Sequence, residues 1–455
     1  MSYKEELISK DLKYIWHPCS QMKDYEELKP IIIKRGEGPY IFDLDDKKYL
    51  DCVSSWWCNL FGHSNKRINE ALKKQVDQIE HVIFANFSNL PAIELSERLI
   101  NITGDRLNKV FFCDNGSSAV EAAIKMSFHY NKQMGRVKKR RFVALEDAYH
   151  GETIGALSMG GLDIYSEIYK PLMIDVIRAE APDCFRCKYG KNRETCRCEC
   201  FENMDKLLKE NKDDISGIII EPLIQAAAGM KIYPALYLKK LRKACDNYDI
   251  HFIADEIAVG FGRTGKMFAV EHGNVCPDFM CLSKGITGGY MPMAVVLTGD
   301  NIYKCFYDDY NKHKAFMHSH TYSGNALGCA VALEVLNIFE DENVLTTINE
   351  KGKILNRKLR DALLHNKNVG EIRCLGMINA IELVKDKKTK EAFNSLERVG
   401  YKIYKEALKE GLLLRPLGDV LYFNPPYIIN KEDMDFMVNV TKKCIEKILC
   451  NIYLE

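Results

Sequence analysis

The sequence predicts an α/β fold: a largely parallel sheet with helices on both faces and a smaller α+β unit packed beside it. Three observations carry this. From Ile68 onward, short β-branched or aromatic runs alternate with segments of helical periodicity. Two runs deliver one charged side chain each at their C-terminal ends: Ile250-His-Phe-Ile-Ala-Asp255, and the run from Asp278 that reaches Lys284 and breaks into a glycine-rich loop. After Gly328 the pattern changes to a long helix through Phe339, followed by helices alternating with strands around Ile372–Leu383 and Val420–Phe423. We therefore expect an N-terminal segment (1–66) contributing to the small unit and the site, a large domain (67–328) and a small C-terminal domain (329–455).

Taken in order, the first sixty residues are aromatic and irregular. They contain a hairpin at Ile41–Leu50, whose Asp45-Asp46 turn is flanked by apolar residues. A strand follows at Lys109–Cys113, then a helix from Ser118 to Asn131, and strands at Arg141–Leu145 and Gly217–Glu221. The Asp255 and Lys284 runs complete the sheet. Charged residues at the C-terminal ends of buried strands stand where open α/β sheets place their active sites.

Bulk properties exclude several function classes. The formal net charge of +1 gives no basic footprint for nucleic acid. The N-terminus lacks the apolar stretch of a signal peptide, and no run is long and apolar enough for a membrane span. Seventeen cysteines without an export signal point to reduced thiols and a cytoplasmic protein.

Several motifs carry chemistry. A desolvated lysine such as Lys284 can become a nucleophilic amine, and a nearby carboxylate such as Asp255 can hold a protonated ring nitrogen. Together they suit a pyridoxal phosphate enzyme. Asp114-Asn-Gly-Ser-Ser118 follows a strand and opens a helix, so Gly116 and Ser117 can form a phosphate cup; an ordinary serine-capped turn reads the same way. Tyr149, in Tyr149-His-Gly151, can stack on a planar ring. Gly260-Phe-Gly-Arg-Thr-Gly-Lys266 mimics a nucleotide loop. Met267 replaces the hydroxyl a P-loop needs, however, and the glycines fit a turn that projects Arg263 towards a substrate or an acidic neighbour. Arg415, before Pro416, can clamp a carboxylate. Cys184-Phe-Arg-Cys187 with Cys196, Cys198 and Cys200 has a zinc-like composition. The Cys-x-Cys-x-Cys spacing and the charged 188–194 loop fit a surface excursion with reduced thiols better, and no metal site is assigned.

On these residues the chain resembles the class III pyridoxal-phosphate aminotransferases over its whole length. The motifs are Trp16-His-Pro-Cys-Ser-Gln-Met22, Asp51-Cys-Val-Ser-Ser-Trp-Trp57, Tyr149-His-Gly-Glu-Thr153, and Ala254-Asp-Glu-Ile-Ala-Val-Gly-Phe-Gly-Arg-Thr-Gly265. Leu282-Ser-Lys-Gly-Ile-Thr-Gly-Gly289, His318-Ser-His-Thr-Tyr-Ser-Gly-Asn325 and Arg415-Pro-Leu-Gly418 complete the set. The Trp-His-Pro, Ser-Ser-Trp-Trp and Arg-Pro-Leu-Gly elements resemble the biotin-pathway branch. That branch converts 8-amino-7-oxononanoate to 7,8-diaminononanoate with an amino group from S-adenosylmethionine or lysine.

The resemblance implies a type I fold, a homodimer with sites at its interface, pyridoxal 5'-phosphate as cofactor, and ping-pong transamination. It implies that Lys284 carries the cofactor and shuttles the proton while Asp255 pairs with the ring nitrogen. Gly116 and Ser117 would bind the phosphate, joined by His320 and Thr321 from the partner subunit. Tyr149 would stack on the ring, and Trp56, Tyr149, Lys284, Ser319, Arg415 and Cys19 would meet the substrate. Ornithine- and GABA-type relatives carry an acidic residue in the loop matching Gln225-Ala-Ala-Ala-Gly229, where this chain has alanines. Cys19 replaces the tyrosine of adenosylmethionine-using relatives, whereas His318–Asn325 looks more like the loop of lysine-using ones. A broad ω-amino-acid or diamine aminotransferase is the alternative enzyme, and a non-catalytic, zinc-organised module is the rival from another class.

Overall fold

The N-terminal limb enters the fold through a meander whose turn chemistry is visible in the side chains. The computed structural model describes residues 2–104 and 106–452. Strands β1 (Ile33–Glu37), β2 (Tyr40–Asp43) and β3 (Lys48–Asp51) pair antiparallel, with Ile41 opposite Tyr49. Asp43 Oδ1 accepts the Asp45 and Lys47 amides at 2.9 and 3.0 Å, which closes the Asp45-Asp46 turn expected there.

The central sheet has seven strands: β4 (Lys109–Cys113), β5 (Arg141–Leu145), β6 (Val176–Ala179), β7 (Ile215–Ile220), β10 (His251–Asp255), β11 (Phe279–Leu282) and β12 (Ala294–Thr298). Their order is β4-β12-β11-β10-β7-β5-β6, with β12 antiparallel to both neighbours and the other pairings parallel. A short hairpin of β8 (Ile224–Gln225) and β9 (Lys231–Ile232) lies between β7 and β10. Alternate residues serve opposite faces. Phe142, Ala144, Ile219 and Ile253 join one core with the helix Gly116–Gln133, whereas Val143, Leu145, Ile218, Ile220 and Phe252 join the other. Burial on both faces explains why these strands read as continuous apolar runs.

The small unit is an antiparallel sheet of β13 (Val369–Leu375), β14 (Ile378–Leu383) and β16 (Val420–Phe423) with the helices Val344–Leu363 and Lys431–Ile452. The expected strand region at Ile372–Leu383 is therefore a hairpin. Strand β15 (Leu412–Leu413) pairs in parallel with β3, placing Leu412 beside Leu50, so the N-terminal limb is sewn to the C-terminal part of the chain. The helix Ala326–Asp341 spans the expected 328/329 boundary and packs on the helices Lys66–Val76 and Leu90–Thr103.

The cysteine-bearing excursion is fastened to the small unit by arginines: Arg186 pairs with Glu382 at 2.7 Å and Arg193 with Glu371 at 3.2 Å. All its thiols are unpaired, and among the described residues no group of three or more His, Cys, Asp or Glu is placed to hold a metal ion. No helix among them is long and apolar enough to cross a membrane.

Candidate active site

The site forms along the C-terminal edge of the parallel strands. In the β10–β11 register Asp255 lies opposite Cys281, so Lys284 emerges just past the adjacent strand end. Lys284 adopts φ +47° at the head of a short 3-10 turn, and its Nζ lies 4.3 Å from the centre of the Trp57 ring. Burial pulls its pKa below the ordinary lysine value, and the Asp255 carboxylate partly opposes that pull. The uncharged amine a nucleophile requires is thereby favoured.

Asp255 is buried and has a partner on each oxygen: His150 Nδ1 at 2.7 Å on Oδ2 and the Ile257 amide at 3.1 Å on Oδ1. His150 is itself buried, and its Nε2 has no partner. Glu221 follows β7, whose Ile220 pairs with Ala254, which sets it next to Asp255. Burial, with repulsion from Asp255, pushes its carboxyl up to about 8. The Tyr149 and Ala226 amides donate to it at 3.2 and 3.0 Å. It therefore braces the loop that presents Tyr149.

Gly116 and Ser117 form the first turn of the helix Gly116–Gln133. The cap is Asn115, whose side chain accepts from the Ser118 amide, so the helix starts two residues before the expected Ser118 and no serine caps it. First-turn amides have no partner within a helix and face the positive end of its dipole, a ready anion seat. Two glycines keep that seat open. A Cβ on Gly151, at φ +123°, would lie 2.1 Å from Ser117 Oγ, and one on Gly116 would lie 3.0 Å from Ile257 Cδ1. Ser117 Oγ accepts the Glu152 amide at 3.1 Å. An anion seat, an aromatic face, a fixed carboxylate and a buried amine together match the four parts of a phosphorylated pyridine aldehyde.

The remaining expected residues fall into two groups. Cys19, Trp56 and Arg415 come together: Arg415 donates to the Cys19 carbonyl at 3.3 Å, and its guanidinium lies 4.2 Å from the Trp56 ring. Cys19 Sγ reaches the Tyr165 hydroxyl at 3.9 Å, and Tyr165 meets Tyr149 edge-on at 5.3 Å, so Tyr149 joins this slot. Ser319, His320 and Thr321 lie in a separate loop. His320 Nδ1 is 2.9 Å from Asp114 of the same chain, and Ser319 and Thr321 are exposed.

Arg263 corrects an expectation. It faces neither a substrate nor an acid: it is 1% exposed and donates to the carbonyls of Trp57, Asn59, Asn424 and Pro425. Four main-chain oxygens satisfy most of a buried guanidinium and lock the loop that holds the tryptophans. Sequence reasoning missed Tyr165, which stands in no motif, and the role of His150, which was visible between Tyr149 and Gly151.

Comparison with known proteins adds relatives of near-complete overlap. The aminotransferase class-III family matches residues 21–445. The adenosylmethionine-8-amino-7-oxononanoate aminotransferase of Geobacter sulfurreducens is 45% identical over 96% of this chain and 97% of its own. The crystal structure of the enzyme of that name from Methanocaldococcus jannaschii superposes with a TM-score of 0.93 at 40% identity, covering 98% of this chain and 99% of that one. An omega transaminase from Pseudomonas jessenii, solved in complex with PMP, superposes with a TM-score of 0.92 at 32% identity, over 97% of this chain and 98% of the other.

Proposed function

From the premise that this chain belongs to the class III aminotransferases, we propose that it is a cytoplasmic, homodimeric, pyridoxal-phosphate-dependent enzyme of biotin biosynthesis. It transfers an amino group, from S-adenosylmethionine or alternatively lysine, to 8-amino-7-oxononanoate, giving 7,8-diaminononanoate. The observation that carries the reading is the meeting of Lys284 and Asp255 at adjacent strand ends, the amine desolvated and the carboxylate fixed by His150.

Pyridoxal phosphate, when bound, would supply an electrophilic aldehyde and a protonated ring able to absorb negative charge. Asp255 holds the proton on the ring nitrogen. Gly116 and Ser117 seat the phosphate, and Tyr149 covers the ring, its hydroxyl donating to Glu152 at 2.9 Å. Lys284 Nζ removes the substrate proton and returns it, the role for which a lowered pKa suits it. Arg415, backed by Trp56, clamps the oxononanoate carboxylate. Cys19 borders the same slot, and its short side chain leaves donor space that a tyrosine would fill. His320, Thr321 and Ser319 complete the site across the dimer interface. The alanines of Gln225–Gly229 offer Arg415 no acidic switch, which disfavours the ω-amino-acid alternative.

The test is a pair of half-reactions followed by absorbance. Cofactor-loaded protein is mixed with S-adenosylmethionine or with lysine, and the product is then challenged with 8-amino-7-oxononanoate. One donor should convert the band of the lysine-bound cofactor, and the oxononanoate should restore it. Lys284→Ala should lack both the band and turnover. Failure of the oxononanoate to reverse the conversion overturns the substrate assignment, and steady turnover by Lys284→Ala overturns the chemistry.

A further inference from the structure

The motif Asp51-Cys-Val-Ser-Ser-Trp-Trp57 contains a backbone feature that the transfer reaction does not by itself explain. Ser54, Ser55, Trp56 and Trp57 all have positive φ, at +49°, +46°, +75° and +75°. Four consecutive non-glycine residues thus form a left-handed turn, a conformation that L-amino acids resist because Cβ crowds the following carbonyl oxygen. It points Trp56 at Arg415 and Trp57 at Lys284. Something must hold it in place.

The buried carboxylate of Asp51 does so. Its Oδ1 accepts the Val53 and Ser55 amides at 3.2 and 3.1 Å, and its Oδ2 accepts Ser55 Oγ at 2.8 Å and His63 Nε2 at 3.1 Å. Asn59 donates to His63 Nδ1 at 3.2 Å, which leaves the imidazole proton on Nε2, facing Asp51. His63 fits only because residue 36 is glycine: a Cβ there would lie 2.5 Å from His63 Cβ. On the other side of the turn, the Trp57 indole donates to the Tyr422 hydroxyl at 2.9 Å.

We propose that Asp51, oriented by His63, is a positioning residue that holds the left-handed turn and so sets both tryptophan faces, Trp56 under the carboxylate clamp and Trp57 beside the amine. The substrate arm of this inference rests on the reading above; its spectroscopic arm does not.

The chain has three tryptophans, and Trp16 is 87% exposed and outside the turn. In a Trp16→Phe background the emission of cofactor-free protein reports on Trp56 and Trp57 alone. Asp51→Asn keeps the size but turns an amide donor towards the His63 and Ser55 donors. It should red-shift the emission, raise iodide quenching at least about twofold, and raise KM for 8-amino-7-oxononanoate about tenfold with kcat changed far less. His63→Gln, which retains a donor, should largely restore wild-type behaviour, whereas His63→Ala should resemble Asp51→Asn. If Asp51→Asn fails to fold, Gly36→Ala, which displaces His63 without touching Asp51, should give the same emission change. A lowered melting temperature with unchanged emission, quenching and KM would mark Asp51 as structural only and overturn the proposal. If the emission changes but no variant uses the oxononanoate, the positioning role stands and the substrate reading fails.

Discussion

At the scale of single residues, burial decides what the titratable groups can do. The burial that lowers the Lys284 pKa also acts on His251, which opens β10 at the end of that strand away from the site. Burial lowers His251 to about 4 from 6.5, with Asp278 opposing. The unfolded chain then binds a proton that the folded one refuses, so stability present above about pH 6.5 is lost as pH falls towards 4. The loss across that window is on the order of 3 kcal/mol. Urea denaturation of His251→Gln should show an acid limb flatter than wild type in that interval and coincident with it above neutrality. Ser127 Oγ lies 2.9 Å from His251 Nδ1, and glutamine can keep that contact. The sequence could not announce this histidine as structural, because nothing local separates a half-buried imidazole from a catalytic one. His150 makes the same point in reverse: its role depends on a carboxylate from β10, a separate strand.

At the scale of elements, the strands were the legible part. β4 and β5 begin and end where their apolar runs do, since a strand buried on both faces is written in its own residues. Helix starts were less legible. Asn115 caps the helix at Gly116 because its side chain reaches the Ser118 amide, and Ser117 instead turns to the Glu152 amide. Both serines look like caps in sequence. The conformation of the Gly116–Ser117 turn therefore depends on Gly151, whose positive φ and close approach to Ser117 Oγ, 2.1 Å from where a Cβ would lie, leave no room for a side chain. Gly151→Ala should weaken cofactor affinity at least about tenfold by titration of apoprotein, through strain and a displaced Ser117. Unchanged affinity would mean that the seat lies elsewhere. The destination of Arg263 was illegible for a related reason. Its four carbonyl acceptors come from two distant segments that only the tertiary fold brings together.

At the scale of the whole molecule, one arginine joins three parts. Arg373 of β13 donates to Glu371, to Glu382 and to the carbonyls of Gly229 and Met230, and it is 3% exposed. Arg186 and Arg193 bring the cysteine excursion to the same two carboxylates. Arg373→Ala takes a donor from the buried Glu382, the half-buried Glu371 and two carbonyls, so it should cost about 3 kcal/mol or more in urea unfolding. Added salt should barely change that loss, since the group is shielded from solvent.

The pairing of β3 with β15 has a consequence for how the enzyme is made. The tryptophan turn leaves the end of β3, and Arg415 leaves the end of β15. A ribosome delivers the second of these long after the first. Until then β3 lacks its β15 neighbour, although every strand of the central sheet has already been made. Closure across so much of the chain is a slow, late event. Gly116 and Ser117 are made long before β15, so the strand that leads to Arg415 is the last part of the slot to be supplied.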